Sequence, residues 1–259
     1  MDLADFDYCL PPELIAQTPA EPRDQARLMV VDRQTGLRQG VIFSQLPDFL
    51  QAGDVLLINN SKVLPARLLG YKVGSGGRVE ILLEQKLSQP NNGEYWRCLV
   101  GGTRPGPGLV IDLGDDLQAE IIAAEADGVF VVKFNQTGTD FWSAIYRLGQ
   151  MPLPPYIKTD QAGLRRAVDD YQTVYAKADK IGSVAAPTAG LHFTDNLFQQ
   201  LKNKGVDIVE ATLHVGLGTF APVRQQNIER HLLHEEIVDI SAATINRLVD
   251  YHRQGRRII

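Results

Sequence analysis

The sequence predicts an α/β plus β architecture. A mixed or parallel α/β domain is drawn from both ends of the chain, with an antiparallel, barrel-like β domain inserted between them. Three observations carry the prediction. Short apolar stretches between closely spaced turn signals fill residues 64–135. Strand and helix patterns alternate after residue 183. An unbroken apolar run, residues 55–58, precedes the β-rich segment and reads as a buried strand. The expected division is 1–63 with 151–259 as the α/β domain, and 64–150 as the inserted β domain with a trailing helix.

Near the N-terminus, residues 26–32 and 37–43 read as strands joined by a turn at Gln34-Thr35-Gly36, and Ser44 is placed to cap a short helix through Leu50. In the inserted segment the turn signals are Gly74-Ser75-Gly76-Gly77, Pro90-Asn91-Asn92-Gly93, Gly106-Pro107-Gly108 and Asp127-Gly128. The intervening strands have no helices between them, which suggests a small barrel or sandwich. Residues 139–149 carry Phe141, Trp142, Ile145 and Leu148 at helical spacing and stop at Gly149. The proline-rich Met151-Pro152-Leu153-Pro154-Pro155-Tyr156-Ile157 is stiff and extended, and reads as the crossing back to the first domain.

The last third has the pattern of a βαβ unit. Residues 183–187 form a strand, Thr194 or Asp195 caps a helix bearing Leu197, Phe198 and Leu201, and residues 206–215 form a second strand expected to lie parallel to the first. Ser241 opens a further helix that ends at Gly255, and residues 256–259 begin another strand. With no element following that strand, the expectation is a chain truncated at its C-terminus.

Composition narrows the partners. The 259 residues are 44% apolar and 22% charged, as in an ordinary globular protein, and the net charge is −5. That balance argues against a general polyanion binder, so RNA contact requires a local basic patch such as Arg165-Arg166 or Arg23 with Arg27. Scattered solvated charges are the plainer account of each pair. Cys9 and Cys98 suggest neither a disulfide framework nor a zinc site. An acidic start without a basic and apolar leader, and no run long enough to span a bilayer, lead to the expectation of a cytoplasmic protein with no membrane contact.

In parallel α/β sheets ligands bind beyond the carboxyl ends of the strands. Two loops fall there: Ala186-Pro187-Thr188-Ala189-Gly190-Leu191-His192-Phe193, and Leu213-His214-Val215-Gly216-Leu217-Gly218-Thr219-Phe220-Ala221-Pro222-Val223. Each joins one His and one Thr to small residues. Gly190, Gly216 and Gly218 permit close backbone approach, Thr188 and Thr219 offer hydroxyls, and His192 and His214 can move protons near neutrality. The same features fit strand-end turns and structural histidines, and the residues alone leave both readings open. Asn59, Asn60 and Arg67, directly after the buried strand, fit either a site rim or a domain crossover. His231 and His234 precede Glu235-Glu236, but their spacing is not that of a helical metal motif and no further ligand cluster accompanies them, so no metal is expected. Dinucleotide-binding, Walker and serine-hydrolase signatures are absent.

At these same stretches the chain resembles the S-adenosylmethionine:tRNA ribosyltransferase-isomerase family of queuosine biosynthesis. The similarity runs through Asn59-Asn60-Ser61-Lys62-Val63-Leu64-Pro65-Ala66-Arg67, the 151–157 segment and Tyr171-Gln172-Thr173-Val174-Tyr175. It continues through residues 185–193, 213–220 and His231-Leu232-Leu233-His234-Glu235-Glu236, in family order. Ser61 and Lys62 stand where the family usually has Thr and Arg, and a Lys lacks the bidentate fork of Arg. Family members also continue beyond the equivalent of Ile259, with a Gly-Thr-Thr loop and an Asn-Phe-His segment.

The resemblance implies an enzyme that moves the ribosyl moiety of S-adenosylmethionine onto the aminomethyl-deazaguanine at the tRNA wobble position. Epoxyqueuosine forms, and adenine and methionine leave. S-adenosylmethionine would be a co-substrate, tRNA the partner and the protein a monomer. His192 and His214 would serve as acid/base groups. Asn59, Asn60, Arg67, Thr188, Gly190, Gly216, Gly218, Thr219, His231 and His234 would line the binding site. The alternatives are a non-catalytic RNA-binding module, or a metal-dependent hydrolase using His231 and His234.

Overall fold

The computed structural model describes all residues except 89–92, 159–160, 221–225 and 231–234. In chain order the strands are β1 (Arg27–Val31), β2 (Arg38–Ile42), β3 (Val55–Asn59), β4 (Lys62–Val63), β5 (Arg67–Lys72), β6 (Arg78–Leu87) and β7 (Glu94–Gly102). They continue with β8 (Val110–Gly114), β9 (Leu117–Ala124), β10 (Val129–Phe134), β11 (Ile181–Ser183), β12 (Asp207–His214) and β13 (Ile237–Asp239). The helices are α1 (Gly138–Leu148), α2 (Gln161–Asp170), α3 (Asp195–Asn203) and α4 (Ala242–Arg253). The chain separates into two compact units: Met1–Lys62 with Pro155–Thr159 and Asp169–Ile259, and Val63–Pro154 with Asp160–Val168.

The second unit is a closed six-stranded antiparallel barrel in the order β10-β7-β6-β5-β8-β9. Period-2 alternation drives it. Leu68, Ile81, Leu83, Cys98, Ile111, Leu117, Ile121 and Val132 all point inward and are fully buried. Closure leaves no free sheet edge, which removes the hazard of unpaired strand backbone. Helix α1 presents Phe141, Ala144 and Ile145 to the barrel, with the Phe141 ring 5.0 Å from Phe134. The expected β architecture is therefore present as a barrel rather than a sandwich. The turn at residues 126–128 is a short 3-10 turn.

The first unit is α/β. β12 pairs in parallel with β3, from Asp207 opposite Val55 to Ala211 opposite Asn59, and antiparallel with β13. On the far side of β3, Leu57 N–H donates to the Ile259 carbonyl (2.8 Å) and Ile259 N–H to the Val55 carbonyl (2.9 Å), so residues 257–259 continue the sheet. Thr194 caps α3 by accepting from Leu197 N–H, and Leu197, Phe198 and Leu201 pack on Phe43, Leu50, Leu56, Ile58, Phe193 and Val206. Burying such apolar side chains supplies about 1.5–3 kcal/mol each. Ser241 caps α4 in the same way. Among the described residues no helix is long and apolar enough to cross a membrane.

Two local expectations differ from the structure. Ser44 caps nothing: residues Phe43–Phe49 form a 3-10 turn with no side-chain cap, and it carries Pro47, which supplies no backbone donor. The strand before α3 is β11, which ends at Ser183 and belongs to a separate short ladder; the parallel neighbour of β12 is β3. Residues 184–187, expected to extend that strand, are irregular instead, with Pro187 leading into the Thr188–His192 turn in the segment expected as a loop.

Candidate functional site

A polar floor lies where β3 ends. The Asn59 side chain continues the β3–β12 ladder by one rung. Its Nδ2 donates to the Leu213 carbonyl (2.9 Å), and its Oδ1 accepts from Leu213 N–H (3.0 Å) and Ser61 N–H (3.1 Å). Asn60 is buried, donates to Glu210 (3.0 Å) and accepts from the Thr212 hydroxyl (2.7 Å). Ser183, also buried, donates to Ser61 Oγ (2.7 Å) and accepts from Val215 N–H (3.0 Å). Buried polar groups need partners, and here each finds one in a neighbouring strand end. Glu210 feels desolvation, which pushes its carboxyl up, but hydrogen bonds from Lys177 and Asn60 outweigh this and hold it below the usual range.

On this floor the two loops start side by side. Val184 N–H donates to the Val215 carbonyl (2.8 Å), so residues 184–193 and 215–220 leave from adjacent positions. The first loop makes a 3-10 turn, Thr188–His192, with Thr188 exposed and Gly190 buried. Gly190 has no room for a side chain: a Cβ would strike the Tyr175 hydroxyl and lie 3.0 Å from Thr173 Cγ2. Tyr175 in turn packs edge-on against Phe198 at 5.4 Å, and burial pushes its hydroxyl up to about 12. His192 sits at the end of the turn, its Nδ1 3.2 Å from the Ala189 carbonyl and its ring 5.2 Å from Phe43.

In the second loop Gly216 N–H donates to Glu236 (3.2 Å), and Thr219 is exposed. Gly218 lies within the short 3-10 turn Leu217–Phe220. His214, the last residue of β12, stands against Gly182. That glycine has φ +151°, and a Cβ there would come within 2.9 Å of His214 Nδ1, so the close approach requires glycine. His214 Nδ1 is buried with no hydrogen-bond partner. Desolvation lowers the His214 pKa, opposed by Asp239 and assisted by Lys180, so the neutral imidazole is favoured. Lys180 and Asp239 pair with each other at 2.9 Å.

A third group of residues was not named for the site, although two of them, Tyr171 and Thr173, lie in the Tyr171–Tyr175 stretch of the family resemblance. Asp24, Thr173 and Tyr171 are 7%, 5% and 6% exposed, and each has a buried oxygen without a partner: Asp24 Oδ1, Thr173 Oγ1 and the Tyr171 hydroxyl. The Tyr171 hydroxyl lies near the Ala186 backbone, outside hydrogen-bond geometry, and burial pushes it up. In the sequence, Arg23 and Asp24 look like an ordinary charged turn between prolines and a strand, and no local signal marks Asp24 as buried.

The remaining expected residues are placed as follows. Arg67 belongs to the barrel unit, where it pairs with Glu80 at 2.8 Å. Arg23 donates to the backbone carbonyls of Asp169 and Gln172, so it is not a free cation for RNA. His231 and His234 lie outside the described residues. Among the described residues no group of three or more His, Cys, Asp or Glu could hold a metal.

A family model described as a queuosine biosynthesis protein matches residues 3–259. The S-adenosylmethionine:tRNA ribosyltransferase-isomerase of Desulfitobacterium hafniense is 45% identical over 261 residues, covering 100% of this chain and 73% of the relative. That of Heliobacterium modesticaldum is 46% identical over 261 residues, with the same coverage. A crystal structure of S-adenosylmethionine tRNA ribosyltransferase from Thermotoga maritima aligns with 31% identity and a TM-score of 0.41, covering 98% of this chain and 67% of that one.

Proposed function

The chain belongs to the queuosine biosynthesis protein family, and on that premise we propose that it is an S-adenosylmethionine:tRNA ribosyltransferase-isomerase. It joins the ribosyl moiety of S-adenosylmethionine to the aminomethyl-deazaguanine at the tRNA wobble position and isomerises it to epoxyqueuosine, with loss of adenine and methionine. The observation that carries this is identity near 45% to enzymes of that name along the whole of this chain.

The site supports the chemistry. The sulfonium makes the adjacent 5′ carbon acidic, and a base must take that proton; a neutral imidazole is suited to this near pH 7. His214 is held in that state by desolvation and is oriented by its contact with Gly182. His192, at the lip of the neighbouring loop, is the second acid/base candidate. Thr188 and Thr219 offer exposed hydroxyls, and Gly190, Gly216 and Gly218 keep the loop backbones bare. Asn59 and Asn60 act from below by fixing the strand ends. None of these steps needs a metal. The protein works in the cytoplasm, as a monomer and away from membranes.

The test is incubation of the purified protein with precursor-bearing tRNA and S-adenosylmethionine, followed by nucleoside mass spectrometry. Epoxyqueuosine should form, and His214→Gln should slow its formation by about a hundredfold or more. Wild-type protein giving no epoxyqueuosine would reject the activity. His214→Gln at wild-type rate would reject the assignment of the base.

A further inference from the structure

We propose that Asp24 and Thr173 form a subsite for a primary ammonium group of a substrate; this rests on the proposed transferase reading and deepens it. Three segments converge there. The Arg23–Gln25 turn packs against the Thr188–His192 turn, and the Arg23 guanidinium is anchored on the Gln172 carbonyl, next to Thr173. Asp24 Oδ2 accepts from the Thr194 hydroxyl (2.9 Å), four residues beyond Gly190, and the Thr173 side chain packs closely against Gly190 itself.

Within this cluster Asp24 Oδ1 and Thr173 Oγ1 are both buried and both lack a partner. A carboxylate oxygen out of water without a donor is costly, and such a cost persists where a ligand relieves it. The adjacent cation cannot do so, because Arg23 is spent on two backbone carbonyls. A partner that brings both donors and positive charge answers this need most fully. A hydroxyl group brings one donor and no charge. A primary ammonium brings three N–H donors and neutralises the carboxylate through a charge-assisted bond. Two molecules of the proposed reaction carry such a group: the amino-acid part of S-adenosylmethionine and the aminomethyl-deazaguanine base.

Calorimetric binding separates them. The probes are S-adenosylhomocysteine, which carries the α-ammonium; methylthioadenosine, the same nucleoside without the amino-acid part; and free 7-aminomethyl-7-deazaguanine. Asp24→Asn keeps an acceptor for Thr194 but removes the charge, and Thr173→Val removes the hydroxyl at nearly constant shape. Each variant should weaken one amine-bearing probe by about tenfold to a hundredfold and leave methylthioadenosine unchanged. Loss for S-adenosylhomocysteine assigns the site to the co-substrate; loss for the base assigns it to the nucleoside. Thr173→Val should melt no lower than wild type while losing that affinity, which a merely structural hydroxyl would not do. Variants that bind both amines like wild type, or that weaken methylthioadenosine equally, overturn the inference alone. Wild-type protein that binds none of the probes overturns it together with the transferase reading.

Discussion

Replacing Asn59 tests whether the polar floor of the site is structural. Its amide makes three hydrogen bonds, two of them to the peptide groups of Leu213 and one to Ser61 N–H. At about 0.5–1.5 kcal/mol each, Asn59→Ala should cost roughly 2–4 kcal/mol. In a unit of this size 1 kcal/mol moves Tm by about 2–4 °C, so the melting point should fall by roughly 5–15 °C. Asn59→Asp is the sharper variant. It keeps the acceptor but sets an anionic oxygen against the Leu213 carbonyl. It should be destabilised at neutral pH and recover in acid, where the protonated carboxyl donates as the amide did. Tryptophan fluorescence is the wrong probe, because Trp96 and Trp142, the only two tryptophans, both lie in the barrel unit. Circular dichroism melting, with hydrogen exchange of the β12 amides, reports on the right unit. An Asn59→Ala protein that melts within about 1 °C of wild type, with Leu213 exchange unchanged, would refute the reasoning.

Two further outcomes follow from the same geometry. Gly190→Ala should be destabilised because the new methyl meets the Tyr175 hydroxyl, and adding Tyr175→Phe should recover much of the loss in a double-mutant thermal melt; strict additivity would contradict the clash. His214 is kept neutral by desolvation, so its folded pKa lies below its unfolded value near 6.5. Its contribution to stability is full above about pH 6.5 and is lost as pH falls from there toward the folded pKa. Urea midpoints taken across that window should therefore decline in wild type and flatten in His214→Gln. Parallel curves for the two proteins would count against the buried neutral imidazole.

Much of the architecture was legible locally. Turn residues and period-2 alternation mark the strands that became the barrel, because a strand's two faces are written directly in its sequence. Thr194 and Ser241 are readable as caps because capping is a contact over three residues. The motifs at residues 185–193 and 213–220 also marked the loops that leave from adjacent positions in the first unit.

Tertiary structure decided the rest. The βαβ pattern named the strand before α3 as the parallel partner of β12, but that partner is β3, supplied by residues about 150 positions away. The amide of Asn59 looked available for a ligand until its partner, Leu213, was in place. Asp24 looked like a solvated turn charge until the loops folded over one of its oxygens and left it without a donor. Local propensity writes each strand and cap into a few consecutive residues. Burial and hydrogen-bond satisfaction depend on distant segments that meet only after folding, so a sequence read in windows reveals the elements more readily than the partners of their polar side chains.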